Sequence, residues 1–171
     1  KYKLPTAQKP ESQDICFIPK SHVDFLERHG DFSKEAGDIV LPSGEVIGKH
    51  QGLHRYTIGQ RKGIGIGYAR PLYVKEIDLE KNRLVVGDDS ELFSSDFSVP
   101  EINVLAPDLW DSGREYLVKV RYRSEPKVGE VRMENGCVHV ALREKERGIT
   151  SGQSAVFYLG KTVVAGGVIQ I

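Results

Sequence analysis

The pair Asn135-Gly136 constrains this chain more than any other feature. It sits between Val131-Arg132-Met133 and Val138–Leu142. Asn-Gly between two β-prone runs is the strongest short-range hairpin signal, because both residues tolerate the left-handed backbone of a tight turn. The pattern recurs nearby. Ala155–Tyr158 and Thr162–Ala165 flank Leu159-Gly160-Lys161, and Val168-Ile169-Gln170-Ile171 closes the sequence. Leu117–Arg123 alternates with period two, setting Val118, Val120 and Tyr122 on one face and Lys119, Arg121 and Arg123 on the other. Five or six short strands within about 60 residues predict a small antiparallel barrel or sandwich.

The preceding sections differ in character. Residues 1–20 are polar and punctuated by proline, with one apolar knot at Ile15-Cys16-Phe17-Ile18. Residues 21–29 predict a short helix, with Ser21 as N-cap and Gly30 as stop. Ile39-Val40-Leu41 and Val46-Ile47 flank Pro42-Ser43-Gly44 and predict a hairpin. Leu72–Ile77 and Arg83–Val86 predict another. Between these hairpins lies Lys49–Gly67. Its five glycines argue against a long helix and leave room for one or two turns near Leu53–Gly59. The expected fold is therefore mainly β: a small β-rich central domain, then an antiparallel β-barrel, with one short helix near the start. The expected division is 1–30, 31–92 and 93–171.

The chain has 171 residues, with 24 basic and 24 acidic side chains. That balance excludes a uniformly basic coat, yet the charge is segregated. Lys49, Arg55, Arg61 and Lys62 occur in a stretch without an acid. Seven acids then lie between Glu76 and Asp96, against Lys81 and Arg83, and six cations against three acids between Arg114 and Arg132. A zero-sum protein can still attract a polyanion at one face. No apolar run approaches the roughly 20 residues that span a bilayer. The first residue is not Met, so the chain reads as a piece of a longer one.

Few residues suggest chemistry on their own. Cys16 stands on a polar segment, where a thiolate would be reachable, or where a small apolar side chain could anchor a loop. Cys137 opens a strand and reads as a packing residue. A Cys16–Cys137 disulfide is possible but has no other support. His50 and His54 are four apart, but no CxxC or HExxH accompanies them, and no metal site is expected. Gly59–Gly67 lacks the GxxxxGK followed by Ser or Thr that holds nucleotide phosphates. It remains either a packed glycine corner or a loop whose amides and cations touch an RNA backbone.

Four segments, taken together, resemble the tRNA-specific 2-thiouridylases (the MnmA/TrmU family). They are Lys9-Pro10-Glu11-Ser12-Gln13-Asp14-Ile15-Cys16-Phe17-Ile18, the run from Gly48 to Gly67, Val118–Arg123, and Ser151–Tyr158. They occur in the family's order and cover the chain, but correspond to only the back half of the family enzyme. The family's ATP-binding front domain, with its SGGxDSS-type loop and first catalytic cysteine, has no counterpart here.

The resemblance implies a sulfurtransferase. ATP, with Mg, activates the C2 oxygen of the wobble uridine at tRNA position 34 in the missing front domain. A persulfide on a cysteine matching Cys16 delivers sulfur, and that cysteine can form a disulfide with the missing first one. Arg121, Tyr122 and Gln153 match tRNA contacts. Lys49, Arg55, Arg61 and Lys62 are further expected backbone contacts, from their charge. The implied partners are tRNAs for Lys, Glu and Gln and a persulfide donor, either a cysteine desulfurase or a relay protein. The implied location is cytoplasmic. No cofactor is expected on this chain, which should be inactive alone. The alternative is a stand-alone, non-catalytic RNA-binding β-barrel.

Overall fold

A computed structural model describes residues 22–30 and 35–171. Helix α1 spans His22–His29, and the Gly30 amide donates to the Leu26 carbonyl at 2.7 Å where the helix ends. Cys16 lies outside the described residues.

Strands β1 (Gly37–Val40), β2 (Val46–His50), β3 (Tyr73–Asp78) and β4 (Arg83–Gly87) form one sheet in the order β2-β1-β4-β3. Both expected hairpins form as antiparallel pairs. They join through a parallel β1–β4 contact, a long-range pairing with no local sequence signal. Ile39, Val74, Leu84 and Val86 are fully buried in this sheet's core. Leu53 and Ile64 descend into the same core from the glycine-rich connection.

His50 and His54 share no helix face. His50 ends β2, and His54 lies in a 3-10 turn over Leu53–Arg55. The buried His50 ring accepts the Gly52 amide at Nδ1, 3.1 Å away. Its proton therefore sits on Nε2, which donates to the Asn82 carbonyl at 3.1 Å. This histidine fastens β2 to the β3–β4 turn.

The second sheet comprises β5 (Phe93–Val99), β6 (Ile102–Val104), β7 (Glu115–Lys119), β8 (Lys127–Glu134), β9 (Cys137–Arg147), β10 (Ser154–Leu159) and β11 (Thr162–Val168). Their order is β5-β9-β8-β7-β10-β11-β6, antiparallel throughout. The β8–β9 turn holds Asn135 at φ 51° and Gly136 at φ 80°, the mirror-image turn expected of Asn-Gly. The sheet curls until Ser98 of β5 exchanges two backbone hydrogen bonds with Gln170, at 2.9 and 2.8 Å. That contact brings one edge of the sheet to the segment after β11 and shields it. Inside, Trp110 stacks on Tyr116 and meets Phe157 edge-on, with ring centroids 5.1 and 5.4 Å apart.

One strand is shorter than its pattern. Alternation predicted β structure through Arg123, but β7 stops at Lys119. The Ser124 hydroxyl donates to the Arg121 carbonyl at 2.9 Å, and Oγ accepts the Arg121 amide at 3.2 Å. Serine thus offers the backbone a local partner in place of the ladder. Val118 and Val120 are buried as expected, but Tyr122 leaves their face and is 69% exposed. Lys119, Arg121 and Arg123 do not form a cationic stripe along one strand.

Arg147, at the end of β9, reaches the other sheet. It donates from Nε and Nη2 to Asp89 at 3.0 and 2.8 Å, and its guanidinium carbon lies 5.4 Å from the Tyr73 ring centroid. Asp89 belongs to a 3-10 turn, Asp89–Leu92, that leads directly into β5.

Candidate nucleic-acid interface

The early stop of β7 creates the first candidate site. Strands β7 and β10 are neighbours, with Lys119 opposite Val156. The turn after β7 therefore faces the segment entering β10. Lys119, Arg121, Tyr122, Gln153 and Tyr158 line a cavity of about 510 Å³ there. Arg121, Tyr122 and Gln153, distant in sequence, are brought together.

Arg121 is not a simple surface cation. Its Nη2 donates to Glu146 at 2.5 Å and to the Arg147 carbonyl at 2.6 Å. Glu146 is a buried carboxylate that also faces Lys127 at 3.3 Å. These contacts fix the guanidinium plane at the cavity. Arg121 Nε and Gln153 Oε1 are both buried and lack a hydrogen-bond partner among the described residues. A donor and an acceptor thus stand unsatisfied on two residues of one cavity, a state that costs about 1–3 kcal/mol per group unless something fills it. The Lys119 ammonium lies 5.3 Å from the Tyr122 ring centroid, holding the exposed ring by a cation–π contact. Arginine, an aromatic ring and an amide suit an RNA base and its backbone.

Sequence reasoning did not mark Tyr158 or Glu146 as site residues, and it weighed Lys119 only as part of a cationic row with Arg121 and Arg123. Lys119 was legible as a cation beside the Arg-Tyr pair. Glu146, 25 positions from Arg121, carried no local signal.

The four cations of the central section divide into two pairs. Lys49 bonds Asp38 at 2.6 Å, and Arg55 bonds Glu27 of α1 at 2.5 Å. Arg61 and Lys62 are exposed, and neither side chain makes a hydrogen bond or ion pair among the described residues. They stand at the start of the glycine-rich loop.

Cys137 is a free, half-buried thiol. Among the described residues no group of three or more His, Cys, Asp or Glu could hold a metal ion. No helix among them is long and apolar enough to cross a membrane.

Two family models match in tandem. Residues 23–88 match a tRNA methyl transferase PRC-barrel domain, and residues 94–169 an aminomethyltransferase β-barrel domain. The first match ends with the four-stranded sheet and the second covers the curled one. At the level of whole chains, this one is 41% identical over 99% of its length to a tRNA-specific 2-thiouridylase MnmA from Nostoc punctiforme, covering 48% of that protein. It is 40% identical over 98% of its length to the enzyme of the same name from Pelobacter propionicus, and 41% over 99% to that from Caldicellulosiruptor saccharolyticus, covering 47% of each. The chain belongs to the tRNA-specific 2-thiouridylase family. It spans about half the length of the curated relatives it matches.

Proposed function

We propose that this chain is the part of a tRNA 2-thiouridylase that grips tRNA and presents the sulfur-carrying cysteine. The observation that carries the RNA-binding half is the cavity joining Arg121, Tyr122 and Gln153, with its unsatisfied donor and acceptor. Gln153 Oε1 accepts from a base amino group, Tyr122 stacks on a base or ribose, and Arg121 adds positive charge. Residues 31–92 and 93–171 form the central and barrel domains of this grip. Residues 1–30 are the tail of a catalytic domain.

The reaction is sulfur transfer to C2 of the wobble uridine. ATP, handled by residues outside this chain, adenylates the C2 oxygen. The outer sulfur of a Cys16 persulfide attacks C2, and AMP departs with the oxygen. The first cysteine of the ATP-binding half then attacks Cys16 Sγ, which breaks the S–S bond, leaves the sulfur on C2 and forms a disulfide with Cys16. The sulfur reaches Cys16 from a desulfurase or a relay protein, and the substrates are tRNAs for Lys, Glu and Gln in the cytoplasm. By this reading the chain has no activity without the ATP-binding half.

A thiolation assay on the complete enzyme carrying Cys16→Ser tests the reading. The expected result is loss of 2-thiouridine with tRNA binding retained. Wild-type thiolation would rule out the persulfide role and leave a non-catalytic RNA-binding barrel.

A further inference from the structure

The loop from Arg61 to Arg70 forms a second charged surface, on the four-stranded sheet rather than the barrel. Its shape follows from its sequence. The Gly59 amide donates to the Val74 carbonyl at 2.7 Å, and the Val74 amide returns to the Gln60 carbonyl at 2.9 Å. Gln60 then braces the turn with its side chain. Oε1 accepts the Thr57 amide at 3.0 Å, and Nε2 donates to the Lys62 carbonyl at 2.9 Å. Beyond it, Gly63-Ile64-Gly65-Ile66-Gly67 alternates. Ile64 is buried and Ile66 packs on the core, while the three glycines are exposed. The isoleucines anchor the loop from below and leave bare backbone on its outer side.

That outer side has a definite chemistry. Arg61, the exposed Tyr68 and Arg70 line a cavity of about 530 Å³ with the glycine backbone, and no acidic residue lines it. Among the described residues Arg61 and the adjacent Lys62 have no counterion, whereas Lys49 and Arg55 do. Arg70 is held by Asp88 at 2.9 Å. Gly67 has no internal reason to be glycine: its φ lies outside the left-handed region, and a Cβ there meets no atom within 4 Å. A glycine that its own fold does not require leaves room for a backbone-close ligand. An apolar protein partner would find little to bury, since both isoleucines point inward.

We propose that this loop binds the sugar-phosphate backbone of RNA. Arg61 and Lys62 neutralise phosphates, Gly67 allows close approach, and Tyr68 packs on a ribose or base. The inference rests on the tRNA reading above and adds a contact surface on the other sheet.

The test measures tRNA affinity of the complete protein against salt concentration. Each phosphate contact adds about 0.7–0.9 to the slope of log affinity on log salt. Arg61→Gln/Lys62→Gln should lower that slope by about 1.5 and weaken binding about tenfold near physiological salt. Gly67→Val should weaken binding with no change in thermal midpoint. Lys161→Gln, on the β10–β11 turn, should change neither quantity. Unchanged slopes in the double variant, with wild-type binding intact and Tyr122→Ala impaired, would overturn the loop site alone. No tRNA binding by the wild type would instead overturn the reading beneath it. An equal slope change from Lys161→Gln would reduce the effect to net charge and overturn the site. So would weakening that only accompanies a lowered thermal midpoint, or thiolation lost at unaltered tRNA affinity, which would point to a protein contact.

Discussion

Arg121 is clamped by Glu146 across 2.5 Å, from the turn after β7 to the end of β9. The same nitrogen bonds the Arg147 carbonyl, and Arg147 grips Asp89 at the entry to β5. The residue matched to a tRNA contact is therefore also a structural brace. Its free edge, not its whole guanidinium, is available to RNA.

Removing Arg121 should cost both stability and binding. Arg121→Ala leaves the buried Glu146 facing Lys127 alone. Because the Arg121 side chain is 37% exposed, solvent screens part of the pair, and the expected loss is about 1–3 kcal/mol rather than the full cost of breaking a buried pair. Urea unfolding measures this loss. An unaltered midpoint would show that the clamp contributes nothing.

Tyr122 should act differently. Its ring is exposed and lies in a turn, so Tyr122→Ala should leave the unfolding midpoint within about 0.5 kcal/mol. Loss of one base stack should weaken tRNA binding by about 1–3 kcal/mol, with the salt slope unchanged. Tyr122→Phe should restore affinity, because stacking needs the ring and not the hydroxyl. Filter binding at several salt concentrations separates these outcomes.

His50→Ala should destabilise the four-stranded sheet. It strands the Gly52 amide and the Asn82 carbonyl together. Two unsatisfied polar groups cost about 2–4 kcal/mol. Tyrosine fluorescence cannot isolate this sheet, so hydrogen exchange at β1 and β4 is the measurement. Protection equal to wild type would contradict the assigned role.

Acid should loosen the connector between the sheets. The Glu91 carboxyl is held below its ordinary value of 4.5, first by the hydrogen bond from Lys75 and then by the Asp88 amide. A depressed carboxylate contributes stability that is fully present above the unfolded value and lost as pH falls through the folded one. Glu91→Gln should therefore flatten the acid limb of the stability profile below about pH 4.5 and leave its slope near neutrality unchanged. A wild-type acid limb in the variant would refute the assignment.

The hairpins were legible because their signals are local. Asn135-Gly136, Leu159-Gly160-Lys161 and Pro42-Ser43-Gly44 each specify a turn within a few residues, and alternation set which side of each strand is buried. The extent of β7 was not legible. Val118, Val120 and Tyr122 keep period two, but the Ser124 hydroxyl captures the Arg121 backbone first. Periodicity counts apolar positions and is blind to that competition. Charge counting likewise grouped Lys49 and Arg55 with Arg61 and Lys62. Asp38 and Glu27, brought close by folding, separate them.

By itself the sequence determined the mainly β architecture, the tight turns and the motifs that resemble one family, since these depend on neighbours along the chain. The tertiary structure alone decided the parallel β1–β4 join, the Ser98–Gln170 contact, the Glu146 clamp on Arg121, and which cations have no counterion among the described residues. Each depends on a contact between distant residues, and such a contact exists only after the intervening chain has paid its entropy and folded.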